Sequence, residues 1–135
     1  MAALGADRNT PQRSAQDLEF PVAASTNIYA GALVCINASS LAVPGSVATT
    51  LKAAGVAQAR ANNTGGAASA ITVKVRRGCF RFANSTAGDA IALADIGADC
   101  FIVDDQTVAK TNGGSTRSVA GKVRDVDASG VWVEI

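Results

Sequence analysis

The segment Ile71-Thr72-Val73-Lys74-Val75-Arg76 constrains the fold more than any other part of the chain. Ile71, Val73 and Val75 point one way and Thr72, Lys74 and Arg76 the other, the period of a strand with one buried face. The same period recurs elsewhere. Leu18, Phe20 and Val22 alternate with Asp17, Glu19 and Pro21, where the proline marks an edge strand or a strand end. Phe80 and Phe82 alternate with Cys79 and Arg81, after a break at Gly78. Val131, Val133 and Ile135 alternate with Trp132 and Glu134. Residues 31–37, GALVCIN, form a short unbroken apolar run, suited to a strand buried on both faces.

Turn chemistry punctuates these runs. Pro44-Gly45, the stretch from Asn62 to Gly66, residues 84–88, 104–106 and 127–130 all read as turns, and Asn112-Gly113-Gly114 has hairpin chemistry. Further strands are expected at 41–43, 100–103, 107–110 and 119–126, the last pairing with 131–135 as a hairpin. Residues 47–61 are ambiguous. Val47, Leu51 and Ala54 have helical spacing behind a possible Ser46 cap, but Gly55 opposes a long helix. The expectation there is a loop or one helical turn, then a strand over 55–60. The total is about nine short strands in an all-β fold, a compact small β-sandwich or β-barrel.

A chain of 135 residues is expected to form one domain. Its apolar residues are mostly Ala and Val, with four Phe, one Tyr and one Trp. Small side chains make a thin core, and such a domain gains stability by pairing its faces or edges with neighbours. Residues 1–16 are polar, lack a hydrophobic period and include Arg8, Pro11 and Arg13. They read as an extended N-terminal arm on a single β domain of residues 17–135. The net charge of +1 comes from scattered charges and lacks the basic footprint of a nucleic-acid binder, so no nucleic-acid partner is expected. No apolar run reaches the ~20 residues of a membrane-spanning helix, so no membrane partner is expected either. The opening MAALGADRNTPQR does not read as a signal peptide.

The chain has no histidine, which removes the commonest general acid–base group and both Ser-His-Asp and Cys-His arrangements. No phosphate-cradling glycine motif occurs. The expectation is a non-enzyme without cofactor or metal. Cys35, Cys79 and Cys100 lie far apart in apolar runs and read as three buried small hydrophobes of a reduced protein. Asp89, Asp95, Asp99, Asp104 and Asp105 offer carboxylates to calcium, but without the EF-hand pattern they read as turn formers. Arg76, Arg77 and Arg81 read as the solvated or partner-facing side of a strand pair. Asn37, Asn62 and Asn84 begin formal glycosylation sequons and read as loop composition. Trp132 sits on the strand face opposite Val131 and Val133. Two readings stay open: a sheet buried on both faces, or an exposed anchor for a partner.

The order of the C-terminal segments resembles a known family. Ala94-Asp95-Ile96-Gly97, then FIVDDQTVAKTNGGS, then AGKVRDVDASGVWVEI, resembles phage head decoration proteins, also called capsid cement proteins. GALVCIN, AGVAQARA and ITVKVRRGCFRF fit the same layout, so the likeness covers most of residues 28–135 and is weakest in the arm. It implies a compact β fold made in the bacterial host cytoplasm and placed on the capsid exterior of a virion. The implied partners are the major capsid protein and further copies of the chain, a homotrimer being favoured over a dimer. On that reading the candidate contact residues are Arg8, Arg13, Tyr29, Arg76, Arg77, Arg81 and Trp132. The competing classes are another virion component, such as a head fibre or tail-associated β module, and a carbohydrate-binding β module.

Overall fold

The computed structural model describes residues 1–135 and is all-β. Its N-terminal half forms a five-stranded sheet in the order β1 (Asp17–Pro21), β7 (Thr72–Arg76), β5 (Lys52–Ala57), β3 (Leu33–Ile36), β4 (Ala42–Pro44), with every pairing antiparallel. A two-stranded pair, β2 (Asn27–Ile28) and β6 (Ala61–Asn62), sits beside it. Just beyond β1 the chain turns back on the sheet's other edge. Val22 bridges Ala42, and Ala23 N donates to Ala42 O at 3.0 Å, so the sheet curls nearly shut at one end.

The C-terminal half is a closed five-stranded barrel. Its order is β10 (Thr107–Ala109), β8 (Cys79–Asn84), β12 (Gly130–Glu134), β11 (Val119–Asp127), β9 (Asp99–Ile102), and β9 returns to β10. All pairs are antiparallel except β8 and β10, which run parallel. Closure leaves this half without a free sheet edge. A five-stranded barrel is narrow, and its lining is correspondingly small: Cys100, Ile102, Val108, Ala120, Val123, Val131 and Val133, with Phe82 the one buried aromatic.

The sheet and the barrel share a wall. Leu33 and Cys35 of β3 pack into the barrel-side cluster, while Val34 between them packs with Val22, Ala42, Val73 and Val75 inside the curl. This is the two-faced burial expected of GALVCIN, and it makes β3 the common layer of two cores. At the end of the curl, Asn63 is a buried polar residue. Its Nδ2 donates to Ala23 O and Ala67 O, both at 2.9 Å, pinning two loops.

Several expectations are corrected. There are twelve strands rather than about nine. The strands with no counterpart among those expected, β2 and β6, are two residues long, too short to show a period. Of the loop or single helical turn expected over 47–51 the loop forms, but the following strand is Lys52–Ala57 rather than 55–60. Residues 48–51 are tied to Ser118, whose Oγ donates to Ala48 O and accepts from Leu51 N. The Asn112-Gly113-Gly114 loop does not close a hairpin: β10 and β11 flank β9 on opposite sides, so the loop crosses the barrel end. The inward residues of β11, Ala120, Val123 and Val126, are spaced by three rather than two. Each extra residue is absorbed by a bulge, at 119–121 against β9 and at 123–125 against β12.

Residues 1–16 form no strand and are exposed throughout. Their tie to the domain is Gln16 O, which accepts from Arg77 N at 2.8 Å.

Candidate interaction surface

The predicted contact residues fall into three groups. The first lies at the root of the arm. Arg13 lines a shallow groove with Asp17, Leu18, Glu19, Lys74 and Arg76 along the β1–β7 pair. Arg76 Nε binds Asp17 Oδ1 at 2.8 Å, an exposed pair worth less than ~1 kcal/mol. Arg77 is exposed beside the apolar side chains of Leu18, Phe20, Ile36 and Ala53. Arg8 is further out on the arm and meets none of the others.

The second group is on the barrel. Arg81 and Trp132 are cross-strand partners on the outward face of β8 and β12. Trp132 is half-buried and belongs to neither core; its indole Nε1 donates to Asp127 Oδ2 at 2.8 Å. The reading of a sheet buried on both faces is therefore wrong here, because nothing covers the outward side of β12. Asp127 also accepts from Ser129 N and Gly130 N. These bonds hold its carboxyl below the usual range, the indole contributing most and the Arg81 charge least.

The third group is Tyr29, which is 57% exposed. Arg60 stacks on its ring, with the guanidinium carbon 5.0 Å from the centroid. Tyr29 lines a separate cleft with Ala30, Gly31, Ala32, Asp105 and Gln106.

The acidic residues do not converge. Asp89 accepts from the Thr111 hydroxyl and from Arg117 Nη1 at 3.1 Å; Asp95 accepts from Ala92 N and pairs with Lys110 at 3.2 Å; Asp99 pairs with Lys122 at 2.6 Å; Asp104 accepts from Gln106 N. Hydrogen bonds, the Thr111 hydroxyl's first, hold Asp89 below the usual carboxylate range, and the Ala92 amide does the same for Asp95. No three His, Cys, Asp or Glu side chains gather around one point. The sequon asparagines serve local backbone: Asn37 Oδ1 accepts from Ser39 N and Leu41 N, Asn62 from Thr64, and Asn84 exchanges two bonds with Ile91.

The cysteines require a correction. Cys35 and Cys100 are buried, and burial pushes their thiols up to about 12 and about 11. Cys79 is exposed, on the outward face of β8 with Arg81.

Sequence reasoning missed Arg60 as the partner of Tyr29, Asp127 as the partner of Trp132, and the exposed apolar side chains of Val47, Leu93, Ile96 and Val119. The Asp127–Trp132 contact had a signal, since a hairpin turn places those positions together. The Tyr29 cleft had none, because its walls come from residues more than seventy positions apart.

The surface thus belongs to an all-β protein in which a curled sheet is fused to a small closed barrel. No family model, curated protein or solved structure matches the chain.

Proposed function

We propose that this chain is a head decoration protein of a phage, binding the outer surface of the assembled capsid and linking neighbouring capsomers and copies of itself. The observation that carries the reading is the arm. Residues 1–16 form no strand and are exposed, on a domain whose own sheets are closed or curled, and they leave it at an edge strand, β1, whose outer side is unpaired. Extended, the arm spans up to ~50 Å at ~3.3 Å per residue, enough to reach a neighbouring subunit. Pro11 reduces the freedom lost when it docks. The resemblance of residues 28–135 to capsid cement proteins supports the same reading, as does a surface of mixed charge with scattered exposed apolar side chains.

Stabilisation by such a protein is linkage: it binds the expanded lattice better than the precursor and biases the lattice toward the expanded state. The test is co-sedimentation of the purified chain with expanded and precursor capsids. Binding to expanded particles that is weakened by deletion of residues 1–16 is the expected result. Equal recovery with and without particles overturns the proposal. Unchanged binding of the truncated chain removes the arm from it.

A further inference from the structure

We infer that the cleft between the 29–32 turn and the 104–106 turn is a binding site for a neutral pyranose sugar, stacked on Tyr29 and hydrogen-bonded by Asp105 and Gln106. The ring of Tyr29 is held in place before any ligand arrives. Arg60 covers one face, and Arg60 Nε is itself fixed by Asn27 Oδ1 at 3.1 Å. The residue is 57% exposed and lines the cleft. A pyranose presents an apolar C–H face, which such a ring buries while the hydroxyls at the sugar's edge stay free.

Asp105 and Gln106 line the cleft, and their side chains form no hydrogen bond within the fold. A carboxylate accepts from two adjacent hydroxyls at once, and a carboxamide adds one donor and one acceptor side. The floor is open backbone: a methyl group at Gly31 would meet nothing within 4 Å. The walls are rigid. Leu33 N donates to Asp105 O at 2.7 Å, Ala83 N to Gln106 O at 2.8 Å, and Gly31 N to Ala57 O at 2.8 Å. A preorganised site loses little conformational freedom on binding. The remaining lining is alanine, too little apolar surface to anchor a peptide side chain. The Asp105 charge disfavours an anionic sugar.

The site lies within the isolated chain, so its test needs no particle and can fail independently of the capsid reading. The full-length protein is titrated with glucose, galactose, mannose and N-acetylglucosamine, and with their short oligomers, while backbone amide resonances are followed by NMR. The expected result is fast-exchange shifts at residues 29–32 and 104–106 with millimolar affinity for at least one neutral sugar. Tyr29→Ala and Asp105→Asn should each weaken binding by about tenfold or more, while Tyr29→Phe, which keeps the stacking face and the fold, retains it. Absence of localised shifts with every sugar overturns the assignment, as do shifts that survive both Tyr29→Ala and Asp105→Asn.

Discussion

The indole nitrogen of Trp132 donates to the Asp127 carboxylate at 2.8 Å, so the side chain at the middle of β12 closes over the turn that begins its own hairpin. The same carboxylate accepts from two amides of that turn. Trp132 therefore acts as a strap on the outer face of the barrel. Trp132→Ala should cost about 1–2 kcal/mol, below the ~3–5 kcal/mol of a fully buried aromatic. Trp132→Phe should recover part of that loss, since the ring contact survives without the donor. Denaturant melts of the three proteins check this, and a loss as large as that of a core aromatic would place the ring in the core after all.

Cysteine reactivity should separate the three thiols. Cys79 is exposed, while Cys35 and Cys100 are buried with thiols pushed up to about 12 and about 11. One thiol per chain should react with a small disulfide reagent under native conditions, and three in denaturant. The reaction at Cys79 should be slow at neutral pH and accelerate with pH, because partial burial first and Glu134 second raise its pKa. Three fast thiols in the folded protein contradict the buried placement of Cys35 and Cys100.

Acid should loosen the loops held by carboxylates. The folded pKa values of Asp89, Asp95 and Asp127 are depressed, so the charged forms favour the fold. Their contribution is whole above the unfolded value of about 4 and is lost as pH falls through the lower folded values. The melting temperature should change little between about pH 5 and 7 and fall below about pH 4. Asp89→Asn should melt lower than the parent at neutral pH, with the gap closing in acid. Calorimetry across this range is the check, and a gap independent of pH removes Asp89 from the effect.

Close approach of a neighbouring strand's backbone requires glycine at positions 55, 121 and 130. A Cβ at Gly121 would press into the Glu134 carbonyl across the β11–β12 pair, and one at Gly55 into the Arg76 carbonyl across β5–β7. Gly55 also has φ +142°, a conformation that side-chain-bearing residues rarely adopt. Gly121→Ala and Gly55→Ala should each destabilise by about 1–3 kcal/mol, with Gly55→Ala the worse. Gly97→Ala, where a Cβ meets nothing, should cost less despite its φ of +85°. Equal stabilities across the three variants rule out the packing argument.

The sequence by itself determined that this chain is built of strands, and which side of most of them faces inward. Period two is a local property, so Phe20, Val73, Val75, Phe82, Val131 and Val133 could be assigned to inward faces from their neighbours alone. The same alternation placed Cys79 beside Arg81 on the outward side. Only the general tendency of cysteine to be buried argued otherwise, and the local pattern was the better guide. The tertiary structure decided what depends on residues distant in the chain. It divided the strands between a curled sheet and a closed barrel, set β8 parallel to β10, and admitted two-residue strands that have no period to read. It inserted the bulges of β11, whose spacing of three makes sense only against β9 and β12. It brought Tyr29 to Asp105 and left the outer side of β12 uncovered, so that Trp132 found Asp127 instead of a core. Such outcomes rest on hydrogen bonds and packing between segments far apart in sequence, and no local pattern of side chains encodes which of them will meet.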